Sequence, residues 1–139
     1  MKLFFLLATL FIAASAFAQR DTIVIGKNKF LAIRSAEKTE YDCKDTLLKL
    51  YRINNGRREY LLTHYLYQYG ADCNNVFKDY GSMKVSGDSI ILYTRCTQKG
   101  FDPIPQATKQ IYKVSNTGKL SLVYDKKKRN GKWTKPSIQ

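Results

Sequence analysis

The run from Gly81 to Arg95 constrains the fold most, because it has the pattern of a β-hairpin that turns at Gly87-Asp88. Glycine at the first central position is what a two-residue type II′ turn requires. A shift of one residue would exchange the two faces of the hairpin, so its register is well specified. The predicted apolar face is made by the pairs Met83–Leu92 and Val85–Ile90.

Further hairpins are predicted on both sides of this run. Asn55-Gly56 separates two strand-like segments, and Asn-Gly is the strongest short-range hairpin signal since a type I′ turn needs positive φ at both positions. Another hairpin turns at 116–118, and a first one turns at 26–29. The pairs predicted around these turns are Tyr51–Tyr60, Leu50–Leu61, Arg52–Glu59, Val114–Leu120 and Tyr112–Leu122.

Two segments between the hairpins are less regular. Residues 35–45 are polar and charged, and this composition predicts a loop. In Arg58–Tyr69, Leu61 and Tyr65 lie at helical spacing, but the tyrosine content and the preceding Asn-Gly turn favour a strand. Consecutive hairpins at this spacing predict an all-β protein, either a small antiparallel barrel or a sandwich.

The central hairpin also resembles a known one. The pattern V-x-G-D-S-I-x-L-x-T begins at Val85 and ends at Thr94, shortly after Gly81, and it is similar to a hairpin of small secreted bacterial lipocalin-like β-barrel domains. The resemblance covers Gly81–Thr94. It implies an up-and-down barrel with room for an apolar ligand, and it implies no catalytic residues.

Residues 1–18 have the pattern of a signal peptide. Lys2 precedes an apolar run, and Ala16-Phe17-Ala18 has the small-x-small form of a cleavage site. We therefore expect an exported protein, periplasmic or secreted, with a β domain over 19–125 and a basic C-terminal tail over 126–139. No later segment is apolar and long enough to predict a membrane span.

Three cysteines in an exported chain predict one disulfide and one remaining thiol. Cys43 and Cys73 both lie at the open end of the hairpin that turns at Gly56, so we predict the Cys43–Cys73 pair. Cys96 follows the apolar face of its strand, and we predict it to be buried and inert.

The charge of the chain is strongly biased. The net charge is +13, and the segment 126–139 contains no acidic residue. Such an imbalance favours attraction to polyanions, whereas folding does not need it. The residues predicted to contact a polyanion are Lys126, Lys127, Lys128, Arg129, Lys132 and Trp133. The alternative is a solvated terminus, although a lone tryptophan favours packing against something.

These features favour an exported, non-enzymatic binding protein without a cofactor. Its ligand would be an apolar small molecule in a barrel cavity with its mouth near Gln98–Thr108, or an anionic envelope polymer on the basic surface. Tyr60, Tyr65, Tyr67 and Tyr69 would either line a ligand surface or serve as ordinary sheet residues. The alternative functions are a cysteine-dependent enzyme with His64 as its base, and an inhibitor of a secreted enzyme. His64 is the only histidine, which excludes a two-histidine zinc site.

Overall fold

The computed structural model describes residues 20–39, 43–68, 79–96 and 106–135. These residues form one antiparallel sheet of nine strands in sequential order, so each strand pairs with its neighbours in the chain and the first and last strands form the two edges. The predicted all-β fold of consecutive hairpins is confirmed. The strands are β1 Arg20–Ile25, β2 Asn28–Lys38, β3 Lys44–Asn54, β4 Arg57–Gln68, β5 Asp79–Ser86, β6 Ser89–Arg95, β7 Ala107–Val114, β8 Leu120–Arg129 and β9 Lys132–Thr134.

The sheet folds back on itself and does not close into a barrel. Within the described ranges, β4 and β5 pair only at Tyr67–Tyr80 and Gln68–Asp79, which is a short junction between the first four strands and the last five. Apolar side chains from both sides of the junction then share one core, and the largest fully buried ones are Phe30, Leu50 and Ile90. Of the two architectures left open by the sequence, the closed barrel is therefore excluded.

Contacts at the turns hold the two parts of the sheet together at one end. The amide Nδ2 of Asn28 donates to the Ser115 carbonyl at 3.2 Å, and Nη1 of Arg52 donates to the Thr117 carbonyl at 2.6 Å. Arg52 also forms the predicted cross-strand ion pair with Glu59. These bonds tie the β1–β2 and β3–β4 hairpins to the β7–β8 turn.

The turns follow the predicted chemistry. Gly87 has φ 57° and the central hairpin has the predicted register, with Met83 opposite Leu92 and Val85 opposite Ile90. Asn55 and Gly56 both have positive φ, at 48° and 74°, as a type I′ turn requires. The Val114–Leu120 and Tyr112–Leu122 pairs are confirmed as well. Arg58–Tyr69 is a strand over its described part, which ends at Gln68.

Three predictions about this fold are wrong. Leu50 pairs with Leu62 rather than Leu61, because a β-bulge between Leu50 and Tyr51 shifts the register by one residue. The segment 35–45 is not a loop throughout, since β2 runs to Lys38 and β3 begins at Lys44. Glu37 and Lys38 pair across the strands at exposed positions and Glu37 forms a salt bridge with Lys49, whereas Asp45 is buried.

The third correction concerns the basic tail. The sheet continues through β8 to Arg129 and through β9 to Thr134, so most of the segment set apart as a tail belongs to the fold. The hairpin turn between them is Asn130-Gly131, with φ 47° and 75°. This is the same Asn-Gly signal that predicts the turn at Gly56, and it identifies the β8–β9 hairpin in the sequence.

The predicted signal peptide, Cys73 and the region Gln98–Pro105 lie outside the described residues. None of the described segments forms a helix long and apolar enough to cross a membrane.

Candidate functional site

The β8–β9 hairpin separates the predicted basic residues onto two faces of the sheet. Residues that pair directly across strands, or lie two apart along one strand, point to the same side. Lys128 pairs with Trp133 and lies two residues from Lys126, so these three share a face. The remaining members of the predicted set lie on the opposite face, namely Lys127, Arg129 and Lys132. We call the face of Lys126, Lys128 and Trp133, together with Lys109, the basic face.

The Tyr124 ring contacts two lysines of the basic face. The ammonium Nζ of Lys126 lies 4.9 Å from the centre of the Tyr124 ring, and Nζ of Lys109 lies 5.8 Å from the same ring. Lys109 pairs directly with Lys126 across the β7–β8 ladder. Like charges placed opposite each other repel, and the shared aromatic ring offsets part of that cost.

Trp133 packs on Tyr93, with ring centres 6.4 Å apart and planes inclined by 60°. Between their strands lies Ala107, which pairs with both Arg95 and Lys128 and is only 2% exposed. The small side chain at this position leaves room for the two rings to approach each other. Trp133 itself is 36% exposed, so the predicted packing of the tryptophan is confirmed while part of its ring faces solvent.

Among the described residues, no acidic side chain forms a salt bridge with the cations of the basic face. Within the described part of the chain, the salt bridges shown are Lys49–Glu37, Arg52–Glu59 and Lys113–Asp88, and none involves Lys109, Lys126 or Lys128. Asp125 is next to Lys126 in sequence, but alternation along β8 places it on the other side of the sheet. The positive charge of this face is therefore not neutralised by the acidic side chains that the structure describes.

A separate pocket of about 260 Å³ lies on the inner side of the sheet, lined by β1–β5. Its walls are mainly apolar, and Asp21 and Arg34 add charged groups. The predicted cavity mouth near Gln98–Thr108 stays a prediction, because residues 98–105 lie outside the described residues. The apolar residues that line the pocket are Ile23, Ala32, Leu48, Leu66, Met83 and Val85.

His64 is a buried residue of β4. Its Nε2 lies 3.3 Å from the carbonyl oxygen of Tyr93, so this nitrogen donates a hydrogen bond to the backbone of β6. Burial lowers the pKa of His64, and hydrogen bonds to the Tyr93 and Ser82 carbonyls oppose that shift. The ring is engaged with backbone carbonyls from β5 and β6, and these contacts differ from the base–nucleophile contact that cysteine catalysis needs.

The lowered pKa of His64 predicts a loss of stability in mild acid. Because the unfolded state binds the proton more readily, the free energy of unfolding should fall as pH decreases below about 6.5 and level off below the folded-state pKa. Denaturant titrations at about pH 7 and about pH 5 measure this change. The variant His64→Gln can keep a side-chain donor but has no group that titrates there, so its stability should change less over this interval. If the stability of the wild type and of His64→Gln fell equally between the two pH values, protonation of His64 would not be the cause of the loss.

Cys96 carries a free thiol and is partly exposed, so the prediction that it is buried is wrong. It directly follows β6, where the ladder ends and its side chain is only partly covered. Burial raises the pKa of the Cys96 thiol to about 11, with a further contribution from the charge and hydrogen bond of Asp79. The Cys43–Cys73 disulfide stays a prediction, since Cys73 lies outside the described residues. Cys43 itself is buried just before β3.

The raised pKa of Cys96 predicts slow alkylation of the native protein. The thiolate is the reactive form, so iodoacetamide at neutral pH should modify Cys96 far more slowly than a free cysteine, and the rate should rise as pH approaches about 11. Peptide mass spectrometry over time measures the rate, with the denatured protein as the control. Rapid modification of native Cys96 at neutral pH would support the enzyme hypothesis instead.

Comparisons of the chain with protein-family models, curated proteins and solved structures find no match. The resemblance of Gly81–Thr94 to lipocalin-like domains therefore stays a prediction, although the closed barrel that it implies is absent. Among the residues that the structure describes, no group of His, Cys, Asp or Glu side chains is arranged to hold a metal ion.

Proposed function

We propose that this protein is an exported, non-enzymatic binding protein that holds a polyanion on its basic face. The observation that supports this proposal most is a set of three lysines beside exposed aromatic surface that form no salt bridge with a described acidic residue, namely Lys109, Lys126 and Lys128. Strands hold the backbone of these residues in place, so less conformational entropy is lost on binding than with a disordered tail. Export is inferred from the signal-like pattern of residues 1–18.

The pocket on the inner side supports a second candidate, the binding of a small apolar molecule. Its volume of about 260 Å³ is below the range of roughly 300–1,000 Å³ typical of ligand sites. The pocket is large enough for a small hydrocarbon group. Apolar walls bind such a group without needing polar partners. We favour the basic face since a polyanion accounts for the charge imbalance of the chain and an apolar ligand does not.

The fluorescence of Trp133 tests the main proposal, because this residue is the only tryptophan of the chain and lies on the basic face. Addition of long-chain polyphosphate or polygalacturonate at low salt should change its emission with saturation. The apparent affinity should fall steeply as salt increases, since binding releases counterions. Neutral dextran is the control. Absence of binding to either polyanion at low salt would refute the proposal, and an apolar fluorescent probe would then test the pocket.

A further inference from the structure

A row of side chains crosses the sheet from β4 to β9 and extends the basic face well beyond its lysines. Each residue of the row pairs directly with the next across a strand boundary, so all of them point to the same side of the sheet. We call this set the transverse row. In order from β4 to β9 it consists of Tyr67, Tyr80, Arg95, Ala107, Lys128 and Trp133.

The transverse row has aromatic groups at both ends and two cationic groups between them. Tyr67 and Tyr80 form an edge-to-face pair with ring centres 5.6 Å apart, and they are 40% and 44% exposed. Arg95 and Lys128 follow, separated by the small Ala107, and exposed Trp133 ends the row. Five strand spacings of about 4.8 Å give the row a length of roughly 24 Å. This length suits several units of a linear polymer rather than one small molecule.

Building on the proposed function, we propose that the transverse row is the binding track for an acidic polysaccharide. The sugar rings would stack on Tyr67, Tyr80 and Trp133, and the carboxylate or sulfate groups would pair with Arg95 and Lys128. Aromatic side chains offer an apolar face to the C–H groups of a sugar ring. The row thus matches a polymer with both stackable rings and charge.

The spacing of the charges favours a polysaccharide over a nucleic acid. Arg95 and Lys128 are two strands apart, about 10 Å, with no charged residue of the row between them. A nucleic acid carries a charge on every phosphate, and duplex DNA has one charge per ~1.7 Å of its axis. In addition, the ring planes of Tyr67 and Tyr80 are inclined by 80°, and those of Trp133 and Tyr93 by 60°. Neither pair therefore forms a slot between parallel rings into which a flat base could insert.

The test compares ring-dependent and charge-dependent binding. The variant Tyr67→Ala/Tyr80→Ala should bind polygalacturonate about ten- to a hundredfold more weakly, as is typical for the loss of aromatic stacking platforms. Its affinity for inorganic polyphosphate, which has charge but no rings, should stay within about twofold of the wild type. Tyr60→Ala is the matched control, because Tyr60 is 57% exposed on β4 but lies outside the row. Should the double variant fold poorly, Tyr80→Thr keeps the strand propensity and removes one ring.

The outcomes separate this inference from the proposed function. If the wild type binds neither polymer, both are wrong. If polyphosphate and polygalacturonate bind but the tyrosine variants bind both as well as the wild type, only the transverse row is refuted. Tighter binding of single-stranded DNA than of polygalacturonate, with the same dependence on Tyr67 and Tyr80, would overturn the choice of a polysaccharide.

Discussion

Reversing two charges on the basic face, with Lys126→Glu/Lys128→Glu, should weaken polyanion binding by about a hundredfold or more at low salt. A lysine near an anionic surface contributes about 1 kcal/mol, and reversal replaces that attraction with repulsion. The dependence of affinity on salt should become shallower too, because fewer counterions are released when the polymer binds. Titration of Trp133 fluorescence at several salt concentrations measures both quantities.

The control for this variant makes the same change in net charge elsewhere. Lys27 lies in the turn between β1 and β2, and Lys119 directly precedes β8. Both are exposed and lie away from the β8–β9 hairpin. Lys27→Glu/Lys119→Glu should reduce the affinity only a few-fold, as expected of a long-range effect that salt screens. Equal losses in the two variants would mean that the polymer responds to the overall charge of the protein, and the basic face would not be a site.

Replacing Gly81 with alanine should have the largest effect on stability. A Cβ atom at this position would overlap the carbonyl oxygen of Tyr65, and it would lie 2.9 Å from the Tyr65 carbonyl carbon and 3.0 Å from Nε2 of His64. Both Tyr65 atoms belong to the backbone, so they cannot move away by a side-chain rotation. We expect Gly81→Ala to lower the free energy of unfolding by about 3 kcal/mol or more, as measured by denaturant titration.

Gly87→Ala is the matched control for this substitution. Gly87 has φ 57° in the turn of the central hairpin, and a Cβ built there has no neighbour within 4 Å. Gly87→Ala should lower the free energy of unfolding by only about 1–2 kcal/mol, which is the strain of placing alanine in a left-handed backbone conformation. If Gly81→Ala proved no more damaging than Gly87→Ala, the close approach of β4 to β5 at Tyr65 would be incorrect.

Local signals in the sequence predict the hairpins because a two-residue turn fixes the register of both its strands. Gly87 and Asn55-Gly56 show this, since each places its flanking side chains on defined faces. A β-bulge breaks the rule without a clear marker. Leu61 is an ordinary strand residue, and the shift beside it depends on how β3 and β4 twist over the core.

The candidate site was only partly predictable. The run Lys126–Arg129 is visible as a block of charge, but its division between two faces depends on β8 and on the turn at Asn130-Gly131. Lys109 and Tyr93 are distant in sequence and join the site through pairing of β6, β7 and β8. To predict the transverse row, the registers of five successive strand pairs must all be known. Two of these pairs, β4–β5 and β6–β7, are joined by long segments, and the length of such a segment does not specify the register.

The most direct test of the basic face is the map of backbone amide chemical shifts during a polygalacturonate titration of the isotope-labelled protein. The largest changes should occur at Lys109 and over Lys126–Trp133, and they should reverse when salt is added. Changes concentrated around Ile23, Leu48 and Met83 would place the ligand in the inner pocket instead. That result, or a spectrum that does not change at low salt, would contradict a polyanion site on the basic face.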